Sequence, residues 1–489
     1  MHIETRRLLA GLQESVDGLA ALSDTQQAKT FQAAANTMLA ELLRRENEQQ
    51  LRDNYARGVE IGRNIAAAMK ACGVPTKAQI ATLPASMNAG VSVESAYALY
   101  DRLRAALTQL VVDSGYPQAR MDTINAAIMA LYDWEFAVSR PPAPPQQATQ
   151  TRLDMKAVLE KSTRLQGGVL ANAKLTNIVE LHGGYGKATT LFEVEDDKQQ
   201  PWRLVARATK DVPLLDLPAQ NIGKEYYMLR YAHRHGICVA EPMWLEDDKA
   251  VHGVRFLVSR QVSGRNLGSA IGSEPLNTAQ VKSLAIELAK IHNMHLDAAD
   301  PDMQKSVIDP AEAKKPLPVV VGDYLHFWRN FWHRARIGQY PVVEATFNWL
   351  LANLPDPDDV PVFLHGDYAL HNILIEGDAV SGVLDWEMHH LGDRAEDISW
   401  LLSSISKHVS QEQFMTEYVA AGGRAVSNFQ LRYYEVLVHL KLVIVALESQ
   451  LRMQQLPHAG PHYSILGLTF IQHPLGNLER AIREAEASR

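Results

Sequence analysis

The chain has 489 residues, 46% of them hydrophobic and 21% charged, and a formal charge of -8. This length predicts two or three domains, and the composition excludes disordered and fibrous proteins. The acidic balance and the lack of a long basic run argue against a nucleic-acid partner.

The features that report on location favour a cytoplasmic protein without a membrane partner. Cys72 and Cys238 lie far apart and belong to no CxxC motif, which suits a reducing compartment. The N-terminus lacks a sustained apolar segment, and His439 and Lys441 interrupt the most apolar later run, VLVHLKLVIVAL.

Residues 1–138 are predicted to form an all-helical accessory domain. Ala, Leu, Glu, Gln and Arg dominate there, and apolar residues recur three and four positions apart. The segment SRPPAPPQQATQT, residues 139–151, is rich in proline and polar residues and is predicted to be a linker. The accessory domain is a candidate surface for partner binding or for a homodimer.

The pattern changes from helices to strands after the linker. TNIVELHGG, TTLFEVEDD and PWRLVARAT predict an antiparallel meander. A helix in GKEYYMLRYAHRHG and two further strands complete a small lobe over residues 152–262. Residues 263–489 are predicted to form a helical lobe that also carries one hairpin with catalytic and metal-binding loops.

The hairpin contains polar residues at the spacing of a phosphotransfer loop. In His365-x-Asp367-x-x-x-x-Asn372, the Asp would accept the alcohol proton, the Asn would hold a magnesium ion, and His365 would brace the loop. Asp385 follows the strand GVL, where a carboxylate ligand is required, and Glu387 is a further acid nearby. The alternative is a buried hairpin whose polar groups only bond one another, and Asp385 makes that alternative less favourable.

Three blocks, HGDYALHNILI, GVLDWE and LGDRAEDISWLL, resemble the aminoglycoside-phosphotransferase-like kinase family over about residues 165–450. They are most similar to the branch related to kinase domains attached to acyl-CoA dehydrogenases. The resemblance implies an α+β, bilobal protein-kinase-like fold, with a small antiparallel-sheet lobe and a mainly helical lobe. It also implies ATP and Mg²⁺ as cofactors and a small-molecule alcohol as acceptor.

The resemblance assigns the nucleotide contacts to the small lobe. The assigned residues are Gly183, Gly184, Gly186, Arg207, Glu225, Gln261 and Val262. The glycines would let backbone N–H groups approach phosphates, and the hinge residues Gln261 and Val262 would contact adenine through their main chain. Arg207 would contact phosphates and Glu225 would orient it, whereas either residue alone would be read as a surface ion pair.

The acceptor side is predicted from the helix YLHFWRNFWHRARIGQYP, residues 324–341, which is basic and aromatic. Such a surface suits an aromatic, apolar or anionic alcohol better than a polycation, unless the aromatic residues face the core. The candidate acceptor-binding residues are Arg329, Trp332, His333, His389 and His390. Asp393 and Asp397 are predicted to cap the following helix and support the hairpin.

The sequence therefore predicts an ATP- and Mg²⁺-dependent O-phosphotransferase. By analogy with the branch, the acceptor is a hydroxyacyl-CoA or an aromatic or apolar catabolic alcohol rather than an aminoglycoside. The alternatives are a catalytically weak nucleotide-binding scaffold that uses the helical domain for partner binding, and a hydrolase that uses Asp367 and His365. A protein kinase is disfavoured because no activation segment ending in APE is present.

Overall fold

The computed structural model describes residues 154–181, 187–209, 221–269, 272–335, 341–356, 359–455 and 472–489, together with eight residues between 59 and 103. The linker, almost all of the predicted helical domain and the three glycines Gly183, Gly184 and Gly186 lie outside these residues. Within the described part of the chain, no helix is long and apolar enough to cross a membrane.

The chain divides into two compact units. One contains Thr149–Asp323, Pro355–Val438 and Glu486–Arg489. The other contains the rest of the chain, including Tyr324–Leu354 and His439–Ala485.

Most of the strands lie before residue 274, and most of the helices lie after it. The helices are α1 (Met155–Leu165), α2 (Ile222–Arg234), α3 (Lys249–His252), α4 (Thr278–His292), α5 (Leu317–Ala335), α6 (Pro341–Ala352), α7 (Ala395–Ile405), α8 (Gln411–Ala420), α9 (Asn428–Gln455) and α10 (Gln472–Ala487). The strands are β1 (Lys174–Leu181), β2 (Lys187–Glu195), β3 (Pro201–Thr209), β4 (Pro242–Glu246), β5 (Phe256–Arg260), β6 (Gly268–Ser269), β7 (Gly272–Ser273), β8 (Val362–Leu364), β9 (Ile373–Glu376), β10 (Ala379–Val383) and β11 (His390–Gly392).

The first five strands form one antiparallel sheet in the order β1-β2-β3-β5-β4, which confirms the predicted meander. Alternate side chains of β2 and β3, among them Phe192 and Leu204, are buried in a core with Leu159 of α1. Because successive residues of a strand face opposite sides, the intervening residues line the other face of the sheet. That face is less covered, since Leu191 and Val205 are only partly buried.

The predicted hairpin consists of β9 and β10, joined by the two-residue turn Gly377-Asp378. A second antiparallel pair, β8 with β11, was not predicted because each strand has only three residues. Gly366 follows β8 with φ +80°, and a Cβ there would overlap the carbonyl oxygen of Met388. A residue with a side chain is therefore excluded from this turn by both the backbone conformation and the contact.

In the second unit, the aromatic residues of α5 face its core. Trp328, Phe331 and Trp332 are buried. The guanidinium of Arg329 donates to Glu344 Oε2 at 2.7 Å and 3.0 Å. The interpretation in which these aromatic residues form core rather than an acceptor surface is thus the one that the structure supports.

We predict that Gly366→Ala destabilises the protein more than Gly236→Ala. Gly236 also has a positive φ, +75°, but no atom lies within 4 Å of its Cβ position. Left-handed strain costs about 1–2 kcal/mol at both sites, and the clash at Gly366 adds about 1–3 kcal/mol. Urea unfolding of the two variants measures the difference, and equal losses would show that Met388 moves aside freely.

A second prediction concerns Asp393, whose Oδ1 accepts a hydrogen bond from the N–H of Ala395 in α7 at 2.9 Å. Burial raises the pKa of Asp393 from 3.8 to about 6. The stability linked to this raised pKa is complete below pH 3.8 and is lost as the pH rises through 6.

Asp393→Asn keeps an acceptor oxygen but removes the titration. We expect the free energy of unfolding of the variant, relative to wild type, to rise between pH 4 and pH 8 by up to about 3 kcal/mol. The control Asp393→Ala loses the hydrogen bond to Ala395 at every pH. A variant-minus-wild-type difference for Asp393→Asn that does not change with pH would contradict the prediction.

Candidate functional site

The register of the β9–β10 hairpin brings two of the predicted site residues together. Ile373 pairs with Val383, so Asn372 and Leu384 lie opposite each other just beyond the last pair. The Leu384 N–H donates to the carbonyl oxygen of Asn372 at 2.7 Å. Asp385 is the next residue, and the hairpin therefore places it beside the end of the Asp367-to-Asn372 loop.

Asp367 and Asn372 are joined directly. The Asn372 Nδ2 group donates to Asp367 Oδ2 at 2.7 Å and to the Asp367 carbonyl oxygen at 3.1 Å. Since Nδ2 makes both bonds, Oδ1 is the atom that Asn372 offers to a cation. The other carboxylate oxygen, Asp367 Oδ1, is buried and has no hydrogen-bond partner among the described residues. It is the atom that a hydroxyl proton would meet.

His365 supports the loop from Asp367 to Asn372 through hydrogen bonds, as predicted. It is fully buried, and its Nδ1 accepts a hydrogen bond from the Asp367 N–H at 3.2 Å. Nε2 must then carry the proton, and it donates to the Leu384 carbonyl oxygen at 2.9 Å. The imidazole of His365 thus connects the loop to the residue before Asp385.

Asp397, in the first turn of α7, holds the same loop from the other side. Its carboxylate accepts the N–H groups of His365 and Gly366, each at 2.8 Å. His292 Nε2 lies 3.3 Å from Asp397 Oδ2. Burial raises the pKa of Asp397, but the hydrogen bond from His292 and the neighbouring groups lower it further, so the net shift is downward. Asp397 therefore supports the hairpin, and of the two predicted caps Asp393 is the one that bonds the start of α7.

Arg207 connects the sheet to two other parts of the protein, the helix α2 and the segment after the β9–β10 hairpin. Its Nη1 donates to Glu225 Oε1 at 2.8 Å, the pairing that the resemblance implied. Its Nη2 donates to Asp385 Oδ1 at 2.6 Å, which the sequence analysis did not anticipate. The guanidinium fork suits such a double pairing, and 17% of the side chain remains exposed.

Lys187 is a site residue that the sequence analysis missed. Its Nζ lies 2.7 Å from Glu225 Oε2 and 2.8 Å from Glu387 Oε2. Burial lowers the pKa of Lys187, but Glu225 and Glu387 raise it by more, so the ammonium stays charged. In the sequence, Lys187 is marked only by its position directly after Gly186. Its place in the site depends on the register of β2 with β3, in which it pairs with Thr209.

Asp385 has an unusual backbone conformation for a residue other than glycine, with φ +64° and ψ +60°. Aspartate tolerates this left-handed region better than most residues, and such outliers concentrate at functional sites. Burial alone would raise its pKa, but Arg207 and Lys187 lower the pKa of Asp385 to about 2. Its carboxylate is thus ionised at neutral pH.

The donor set fits Mg²⁺ that is bound together with phosphate. Asn372 Oδ1 and Asp385 Oδ2 supply one amide and one carboxylate oxygen, and Mg²⁺ prefers oxygen ligands and completes its shell with water and substrate phosphates. Among the described residues, no group of three or more His, Cys, Asp or Glu side chains is arranged to hold a metal ion by itself.

The remaining predicted residues take mixed positions. The Gln261 N–H donates to the Arg203 carbonyl oxygen at 2.9 Å, and Val262 packs near Gly382. A further residue of the loop between Asp367 and Asn372 is His371, whose Nε2 lies 3.7 Å from Asp367 Oδ2. Burial lowers the pKa of His371, but the charge of Asp367 outweighs it and raises the pKa above its usual value.

The five candidate acceptor residues contact protein groups. His389 is 1% exposed, its Nδ1 lies 2.5 Å from the Trp386 carbonyl oxygen, and burial lowers its pKa to about 4. His390 Nε2 lies 3.2 Å from Glu396 Oε2. In the second unit, Trp332 is buried, and Arg329 and His333 both contact Glu344. Acceptor binding by these five residues stays a prediction.

Comparisons with known proteins agree with this geometry. The chain is 26% identical over 199 residues to acyl-CoA dehydrogenase family member 11 of Gallus gallus, which covers 40% of this chain and 24% of the relative. It is 29% identical over 92 residues to an aminoglycoside 3'-phosphotransferase of Niallia circulans, covering 19% and 35%. The chain thus spans about a quarter of the length of the acyl-CoA dehydrogenase relatives.

A solved structure assigned as an aminoglycoside phosphotransferase of Ralstonia eutropha superposes with a TM-score of 0.51 at 19% identity, covering 69% of this chain and all of the other. This likeness shows a shared fold. The model of the phosphotransferase enzyme family APH matches residues 178–435, more than half of the chain. The chain therefore belongs to the APH phosphotransferase enzyme family.

Proposed function

We propose that this phosphotransferase uses ATP and Mg²⁺ to phosphorylate the hydroxyl of a small molecule. The observation that carries the proposal is the position of Arg207 between Glu225 and Asp385. A phosphate-binding cation, its orienting carboxylate and a metal-binding carboxylate meet at one point, and the hairpin joins them to Asp367 and Asn372. Phosphoryl transfer requires these parts and little further chemistry from the protein.

The less covered face of the sheet supports a purine nucleotide. In the strand register, Val179 pairs with Leu191, and Leu191 pairs with Val205. Directly paired residues face the same side, and Val205 and Arg207, two positions apart on β3, also share that side. Val179 keeps 45% of its surface exposed. An apolar strip thus leads to the cation that would meet the phosphates.

The hinge supports main-chain recognition of the base. The Gln261 N–H is already bonded to β3 through the Arg203 carbonyl oxygen. The adenine contacts would therefore fall to the Gln261 carbonyl oxygen and the Val262 N–H. The choice of ATP over GTP rests on the family resemblance.

Asn372 and Asp385 would hold Mg²⁺, and the bound ion would neutralise charge on the phosphate oxygens. Arg207 would contact the same phosphates with its guanidinium while Glu225 keeps that group in place. Asp367 Oδ1 would accept the proton of the acceptor hydroxyl, because Asn372 already holds Oδ2.

The proposed acceptor is a hydroxyacyl-CoA, with an aromatic or apolar alcohol as the second choice. This part of the proposal rests on the acyl-CoA dehydrogenase relatives. The helix α5 lends it little weight, since Trp328, Phe331 and Trp332 are buried and Arg329 is paired with Glu344.

A phosphate-transfer screen tests the proposal. ATP with Mg²⁺ is offered together with hydroxyacyl-CoAs, aromatic alcohols and aminoglycosides, and labelled phosphate in the product is measured. We expect transfer to a hydroxyacyl-CoA, and Asp367→Asn should lower kcat by about 10²–10⁴-fold while ATP affinity stays within about twofold. ATP binding without transfer to any alcohol would favour the scaffold, and turnover without nucleotide would favour the hydrolase.

A second prediction concerns the metal ligands. Asp385→Ala should abolish the Mg²⁺ dependence of nucleotide binding, measured by titration calorimetry with a non-hydrolysable ATP analogue, because it removes the carboxylate that faces the ion. Asp378→Ala is the matched control, since Asp378 lies in the exposed turn at the far end of the same hairpin. Wild-type Mg²⁺ dependence in Asp385→Ala would show that the ligand assignment is wrong.

A further inference from the structure

Five charged side chains of the site form a closed ring of contacts. Arg207 joins Asp385 to Glu225, at 2.6 Å and 2.8 Å, and Lys187 joins Glu225 to Glu387, at 2.7 Å and 2.8 Å. The backbone closes the ring, because Asp385 and Glu387 are separated only by Trp386. Each cation therefore links the helix carboxylate Glu225 to one carboxylate of the segment that follows the β9–β10 hairpin.

The sheet register explains why two cations share this place. Thr189 pairs with Arg207, and Lys187 pairs with Thr209. Lys187 and Arg207 thus lie on the same face of neighbouring strands, as diagonal neighbours. Two positive groups on neighbouring strands repel each other. Glu225 offsets that repulsion, because one of its carboxylate oxygens contacts Lys187 and the other contacts Arg207.

Burial makes the pairing of Lys187 obligatory. Its side chain is 2% exposed and that of Glu225 is 0% exposed. A buried ammonium or carboxylate without a partner is strongly unfavourable. Loss of Lys187 would therefore leave Glu225 with only Arg207 as an ion-pair partner among the five charged side chains of the ring.

The ring holds two cations and three carboxylates, a net charge of -1. Without Lys187 the same place would hold one cation and three carboxylates, and Asp385 and Glu387, with the amide of Asn372, would form a set of oxygen donors. Such a set attracts a free divalent cation. Of the five charged side chains of the ring, Arg207 would then be the one cation left to balance Glu225, Asp385 and Glu387.

We propose that Lys187 is a positioning residue that makes metal binding depend on the nucleotide. Because Lys187 is paired with Glu387, this carboxylate is not offered to the ion. Asp385 and Asn372 then bind Mg²⁺ too weakly to hold it until phosphate oxygens complete its coordination shell. By sharing Glu225, Lys187 also leaves Arg207 free to turn from Asp385 to the phosphates. This inference rests on the proposed use of ATP and Mg²⁺.

The test compares Lys187→Met with wild type in two binding measurements. Mn²⁺ binding to the nucleotide-free protein is followed by electron paramagnetic resonance, and binding of a non-hydrolysable ATP analogue at saturating Mg²⁺ is followed by calorimetry. We expect free Mn²⁺ to bind about tenfold more tightly and the ATP analogue to bind about tenfold more weakly. A residue that only stabilises the fold would not move the two constants in opposite directions.

Three further variants separate charge from packing. Lys187→Arg keeps the charge and should hold both constants within about threefold of wild type. Lys174→Met removes an exposed lysine from β1 of the same sheet and should change neither constant. The double variant Lys187→Met/Glu387→Gln removes one charge of each sign, and its free Mn²⁺ affinity should return to the wild-type level.

The inference is overturned if Lys187→Met leaves free Mn²⁺ affinity unchanged or weakens it, or if ATP-analogue affinity is retained. Should Lys187→Met fail to fold, the double variant is compared with Glu387→Gln alone. The double variant should then bind the ATP analogue about tenfold more weakly, and equal affinities overturn the role of Lys187. If wild type itself binds no ATP analogue with Mg²⁺, the proposed function fails, whatever Lys187 does.

Discussion

A buried charge must meet an opposite charge, and the site of this protein is organised around that constraint. Glu225 is fully buried on α2 and is held by Arg207 on one oxygen and Lys187 on the other. Each cation then contacts the segment after the β9–β10 hairpin, at Asp385 and at Glu387. Ion pairs thus join the sheet, the helix and this segment at the point where we propose that phosphate binds.

The loop from Asp367 to Asn372 is held by two groups with separate tasks. Asp397 accepts the N–H groups of His365 and Gly366, while the imidazole of His365 bonds the loop to Leu384. Neither residue needs to touch a substrate, yet both restrict the position of Asp367. In the proposed role of Asp367 as base, Asn372 fixes Oδ2, and Oδ1 has no hydrogen bond within the described part of the chain. The cost of leaving Oδ1 buried without a partner is one reason to expect a ligand there.

The two histidines beside the site, His389 and His390, contact other protein groups. His389 is buried against Trp386, and its lowered pKa keeps the ring uncharged. His390 contacts Glu396. The sequence made His389 and His390 candidates for acceptor binding, and in the structure their side chains contact protein groups. The same lesson applies to α5, where the aromatic residues that suggested an acceptor surface are buried.

The sequence by itself determined the parts that depend on local pattern. Strand alternation predicted β1 to β5, and the two-residue turn predicted the β9–β10 hairpin. The motifs in and after that hairpin made Asp367, Asn372 and Asp385 candidate site residues. Only the tertiary structure decided the Arg207–Asp385 pair, the bonds from Asp397 to His365 and Gly366, and the Lys187–Glu387 contact. The partners in these contacts lie 178, 31 or 32, and 200 residues apart along the chain. Periodicity and spacing report on neighbours in sequence, whereas an ion pair depends on strand register and on which charges are buried together, and both are set when the sheet, helix and hairpin pack.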